Sequence, residues 1–132
     1  MPMRRGWFLP PMLLAFAVDV TLTLHGQPKE YWLGNTGAVE EANPIGYILL
    51  VRSPWLFLFC AIVWMSVLSG TILFWRKPIA EWLAVVVAFA HAIGGCSWLI
   101  RSGDLGWLWG IVYLVIASQV FRWCWRRGGW VK

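Results

Sequence analysis

The chain has 132 residues, of which 60% are hydrophobic, 13% are charged and 12 are tryptophan. A soluble domain carries about 25% charged residues, so a soluble globular class is excluded at the outset. Lys and Arg outnumber Asp and Glu by 11 to 6, but they flank apolar runs rather than forming a patch on a polar fold. That placement excludes nucleic acid and makes the lipid bilayer the first partner.

A membrane-crossing helix needs about 20 mostly apolar residues, and four stretches meet that length. The first covers residues 7–24, broken by Asp19 and two threonines. Arg4 and Arg5 precede it as they would a signal peptide, but its apolar run is long and no A-x-A-like site ends it, so it is expected to be retained. Residues 25–53 then form the one long connection. Within it, Asn43 is a favoured helix cap and Pro44 suits a first helical turn, which predicts a short interfacial helix over residues 44–51. Ser53 and Pro54 restart the chain into a second, uncharged span over residues 54–75. The turn R-K-P at residues 76–78 leads to a third span, 79–100, which holds Glu81 near its start and His91 inside. The turn R-S-G-D at residues 101–104 leads to a fourth, 105–125, with Arg122 near its end.

Unsatisfied backbone does not survive in hydrocarbon, and period-2 alternation is absent, so these spans are read as helices. The expected fold class is therefore all-α: one domain, a polytopic membrane protein of four transmembrane helices with a short interfacial helix between the first two. Counting Lys and Arg on the two sides gives Arg4, Arg5, Arg76, Lys77, Arg122, Arg126, Arg127 and Lys132 against Lys29, Arg52 and Arg101. By the positive-inside rule both termini face the cytoplasm, and the chain belongs in the inner (cytoplasmic) membrane. Tryptophans near the span ends fit the interfacial aromatic belt. Cys60, Cys96 and Cys124 are widely spaced, which argues against a disulfide framework or a zinc site.

Polar residues inside the spans are the candidates for function. Asp19 and His91 each lie twelve residues into a span that runs outward, so they are expected at similar depth. A carboxylate near mid-bilayer costs about 2.5 kcal/mol or more and should find a partner within the bundle. Thr23, one turn beyond Asp19, shares its helical face. Glu41 and Asn43 are placed to close the pocket from outside, and Gly94 and Gly95 to let another helix approach. Each has a plainer reading. The acids before Pro44 decorate a helix N-terminus, His91 bonds a carbonyl or hydroxyl, and Asp19 serves as packing glue.

The order Asp19-x-Thr21, Gly26, Glu41-x-Asn43-Pro44 resembles a family of small bacterial and archaeal membrane proteins. These have about four helices, a D…T…G…E-x-N-P signature and no assigned function. The resemblance covers roughly the first half of the chain. It implies that Asp19, Gly26, Glu41, Asn43 and Pro44 are signature positions and that Glu40 is not. His91 and the tryptophan-rich tail have no counterpart in it.

Three functions compete. The favoured expectation is a non-catalytic subunit or helix-bundle scaffold of a membrane complex, associating with other membrane subunits or with itself. Ion or proton movement past Asp19 and His91 is the second. The third is a metal site or hydrolase built from Asp19, His91 and Glu41, with Asp19 and His91 as the metal ligands. Against that third reading, HExxH and GxSxG motifs are both absent. No cofactor is strongly implied: His91 beside Gly94 and Gly95 could approach a pigment or haem, but no attachment motif accompanies it.

Overall fold

The computed structural model describes residues 5–128. Arg4 and Lys132, two of the basic residues counted above, lie outside the described residues, as does the side chain of Lys77. A 3-10 turn, Arg5–Phe8, leads into α1 (Leu9–His25). Then follow α2 (Lys29–Trp32), α3 (Pro44–Arg52), α4 (Pro54–Phe74), α5 (Lys77–Arg101) and α6 (Gly106–Arg127). Among the described residues there is no strand.

Four helices are long and apolar enough to cross a membrane, with α1 reaching that length together with its leading turn. At about 1.5 Å per residue, the 21, 25 and 22 residues of α4, α5 and α6 each exceed the roughly 30 Å hydrocarbon core. Prolines sit in the opening turns of α1, α3, α4 and α5, where a missing N–H removes no helical bond. Ser53 caps α4 by accepting from the Trp55 N–H at 3.2 Å. Gly103, with φ +133°, makes the turn between α5 and α6, a conformation open to residues without a Cβ. The short helix α2 and a 3-10 turn, Thr36–Ala38, were not legible in the 25–53 connection.

The helix α5 is central. Of its apolar window 39% is buried, against 11% for α6, and its most extensive partner is α1. The reason is a seam of small residues: Ala80, Ala84, Ala88, Ala92 and Cys96, spaced four apart and all buried. Small side chains on one helical face let neighbouring backbones come close, which is how membrane helices gain packing energy without a hydrophobic drive. Phe8 and Met12, then Met65, Leu68 and Ile72 from α4, complete the core against that seam. At the same end Arg5 donates to the carbonyls of Leu73 (3.0 Å) and Trp75 (2.7 Å), closing off the exposed end of α4. We call this the terminal end.

At the opposite, loop end, α2 and α3 fold over the bundle. Tyr31, Val39 and Leu50 form a second small core, packed by Leu24, Val51 and Phe57. The Tyr31 hydroxyl donates to the Leu50 carbonyl at 2.9 Å, and burial raises its phenol above the ordinary value. Elsewhere the long helices present large apolar side chains outward, including Trp55, Phe59 and Trp64 on α4 and Trp107, Trp109 and Ile116 on α6.

Candidate functional site

Asp19 on α1 and His91 on α5 meet: His91 Nδ1 lies 2.7 Å from Asp19 Oδ2. The meeting depends on Gly94. A Cβ there would lie 2.5 and 2.8 Å from the two oxygens of Asp19, so the carboxylate occupies space that the glycine leaves open. Both side chains stay partly accessible, His91 at 23% and Asp19 at 19%. The Phe16 ring stands edge-on to the imidazole, with centroids 5.3 Å apart.

Tyr113 of α6 adds a group that the sequence reading passed over. Its hydroxyl lies 3.4 Å from the position a Cβ on Gly95 would take. The hydroxyl is buried and has no hydrogen-bond partner among the described residues. A tyrosine inside the apolar first half of α6 was the available signal.

Above the pair, the E-A-N-P stretch does two jobs. Asn43 caps α3, its side-chain oxygen accepting from the N–H groups of Ile45 (3.0 Å) and Gly46 (3.4 Å), and Pro44 occupies the first helical turn. The oxygen of Asn43 is thus committed to the cap. Glu41 Oε1 accepts from the Asn43 N–H at 2.7 Å, and its stem rests where a Cβ on Gly46 would come. Burial raises the Glu41 carboxyl above the usual range. The Asn43 N–H opposes that shift, the charge of Asp19 adds to it, and the charge of Arg101 counters it. Glu41 therefore senses Asp19 from above, while Glu40 is exposed.

Gln27 holds this stretch in place. Its Nε2 donates to the carbonyls of Thr23 (2.9 Å) and Glu40 (2.8 Å), and its Oε1 accepts from the Glu40 N–H at 3.0 Å. Thr23 is buried, so its part in the site is the carbonyl that anchors Gln27. Gly26 serves in another way: a Cβ there would overlap the Trp98 ring, and Trp98 in turn carries the Arg101 guanidinium 4.1 Å above it. His25 and Thr21 are exposed.

Nδ1 and Oδ2 are close enough to share one proton in a hydrogen bond, which leaves the His91 Nε2 as the free ring nitrogen of the pair. Asp19 and His91 supply two of the ligands a metal would need. Among the described residues no group of three or more His, Cys, Asp or Glu side chains is arranged to hold an ion. No hydroxyl or thiol among them bonds His91, and the nearby Ser97 hydroxyl donates to the Gly94 carbonyl. Searches against known proteins found no matching family profile, no matching curated protein and no matching solved structure.

Proposed function

We propose that the chain is a small, non-catalytic component of a membrane assembly, and that the Asp19–His91 pair is its proton-binding site. In this reading the chain sits in the cytoplasmic membrane, with the terminal end inside and the loop end outside. The D…T…G…E-x-N-P order supports, as a resemblance, kinship with small four-helix membrane proteins of that signature.

The observation that carries the proposal is the 2.7 Å contact between Nδ1 and Oδ2 within an apolar bundle. Ionisable side chains inside two spans are costly, and a carboxylate at that depth marks function by default. Packing alone is served by small residues and neutral hydrogen bonds, of which α5 already has a full seam. Glu41 gives the pair a second carboxylate on its outer side, tied to it through charge.

The test is nitrogen-15 NMR of histidine-labelled protein in lipid nanodiscs, in a His25→Gln background so that His91 alone is observed. The Nε2 resonance should move as pH is varied over the range in which the fold persists. Asp19→Asn should shift that transition while the helix content stays intact. An Nε2 signal that does not move across the range would reduce the pair to structural glue. The assembly is tested separately by extraction in mild detergent. Partner chains in fixed ratio support it, and a lone protomer counts against it.

A further inference from the structure

Three polar side chains of α6 have no use in the bundle. The buried positions of this helix, Gly106, Gly110 and Cys124, lie on one face. The opposite face carries Leu108, Val112 and Val115 toward the loop end and Gln119, Arg122 and Arg126 toward the terminal end. These six are spaced three and four apart, and all are exposed. Among the described residues none of the three polar ones has a hydrogen-bond or ion-pair partner. The other polar side chains in this half are engaged: the Ser118 hydroxyl donates to the Val115 carbonyl at 2.7 Å, and the Arg127 guanidinium stands 5.5 Å from the Trp123 ring. The unsatisfied groups are thus confined to one face.

Depth says what kind of partner this face needs. At about 1.5 Å per residue, Gln119 and Arg122 lie about 12 and 8 Å inside the Arg127 end of the helix. Every Cα–Cβ bond in a helix tilts toward its N-terminus, which in α6 is the loop end, so both side chains set out away from the terminal surface. An amide or guanidinium facing bare hydrocarbon there is costly. Lipid head groups gather at the terminal surface, beyond both residues. A second copy of the chain is also a poor match, since two facing α6 helices would set arginine against arginine. Nor does a copy bring an exposed carboxylate to this end. Glu30, Glu40 and Asp104 are at the loop end, and Asp19 and Glu41 belong to the site already described. Glu81 is partly buried and not free.

We propose that this face docks a transmembrane helix of a different chain, one that carries an Asp or Glu at the depth of Arg122. The carboxylate accepts from the guanidinium fork of Arg122, a pairing that is bidentate and planar. A backbone or side-chain oxygen of the same helix accepts from the Gln119 amide, as polar side chains do between membrane helices. Toward the loop end the partner packs apolar residues on Leu108, Val112 and Val115. One helix then covers the whole face, and charge complementarity selects it. This docking rests on the assembly reading above and stands apart from proton exchange at His91.

The experiment uses the full chain, tagged in its native membrane and extracted in mild detergent. A photoreactive residue in place of Val115 lies on the face without removing any of the three polar groups. Irradiation should join it to another chain, within a transmembrane segment that holds an Asp or Glu. Arg122→Glu should lower recovery of that chain roughly tenfold or more, because breaking a buried ion pair strands a charge. Exchanging the partner's acid for Arg should restore recovery. Arg122→Gln, which adds no negative charge to the span, should weaken recovery in the same direction with helix content unchanged. Labelling of lipid alone, of a second copy, or of a segment without an acid overturns the proposal, as does full recovery in both Arg122 variants. A partner that co-purifies but is labelled only from position 59 on α4 overturns this face and leaves the assembly reading standing. If nothing co-purifies in fixed ratio, both fall.

Discussion

The carboxylate of Asp19 occupies the volume that a side chain at position 94 would fill, and this explains how an acid is seated inside a packed span. A helix pair with ordinary side chains at that level would hold the carboxylate away from α5 and from His91. Gly94→Ala places a carbon 2.5 Å from Oδ1, which forces Asp19 to move. Overpacking of this kind costs about 1–3 kcal/mol. The expected outcome is a lower unfolding temperature in detergent and an altered His91 nitrogen spectrum. Gly95→Ala is the control: its Cβ meets Val18 and Tyr113 at 3.3 and 3.4 Å, a contact that small shifts relieve. Its effect should be clearly smaller, and equal effects would argue against this account of Gly94.

Much of this arrangement was legible in the sequence because the bilayer restricts the choices. Long uncharged runs leave helices as the available structure, so the four spans follow from composition. Depth in a span follows from residue count, which is why Asp19 and His91 were expected at one level and are found bonded. The cap at Asn43 and Pro44 is local chemistry and was readable for the same reason. Contacts set by rotation between helices were not readable. That Asp19 meets Gly94, that Tyr113 points at Gly95 and that Gln27 clamps Glu40 depend on which faces meet, and spacing within one helix does not fix that. The alanine seam of α5 was visible as a four-residue repeat, but repeats of small residues are common in spans and do not name their partner.

Gln27 is expected to control the order of the loop end. Its side chain makes three hydrogen bonds, and it is 5% exposed. Gln27→Ala removes all three and leaves the amide and carbonyl of Glu40 without those partners. At roughly 1 kcal/mol per bond the loss is about 2–3 kcal/mol, concentrated in the stretch before α3. Hydrogen exchange should rise across residues 39–46 and stay unchanged in α5. Uniform exchange change over the whole chain, or none at residues 39–46, would show that Gln27 does not anchor this stretch.

The raised carboxyl of Glu41 makes stability depend on pH with a defined sign. A carboxyl whose folded-state value lies above its unfolded value binds protons more tightly when folded. Its contribution is then fully present below the unfolded value and is lost as pH rises through the folded one. At neutral pH the ionised group carries the burial cost named above. Glu41→Gln keeps an oxygen to accept from the Asn43 N–H and removes the charge. The variant should therefore unfold at a higher temperature than wild type at neutral pH, with the gap closing in acid. The check is thermal unfolding of both proteins over a pH series. A gap that widens in acid would reverse the assigned cause.

Tyr113 offers the sharpest test of whether the site holds something beyond the chain itself. Its hydroxyl is buried without a partner, and an orphaned buried hydroxyl costs about 1–3 kcal/mol. If nothing else reaches it, Tyr113→Phe removes that cost and leaves the ring packed against Gly95. The expected result is a gain of about 1 kcal/mol in detergent and an unchanged Nε2 transition for His91. Loss of stability instead would mean that the hydroxyl is partnered in the membrane by a water or by a group brought in by another molecule. A shifted His91 transition would place that partner on the path by which protons reach the pair. Comparing the two readouts separates a packing tyrosine from a working one, because packing alone has no route to the charge state of an imidazole on another helix.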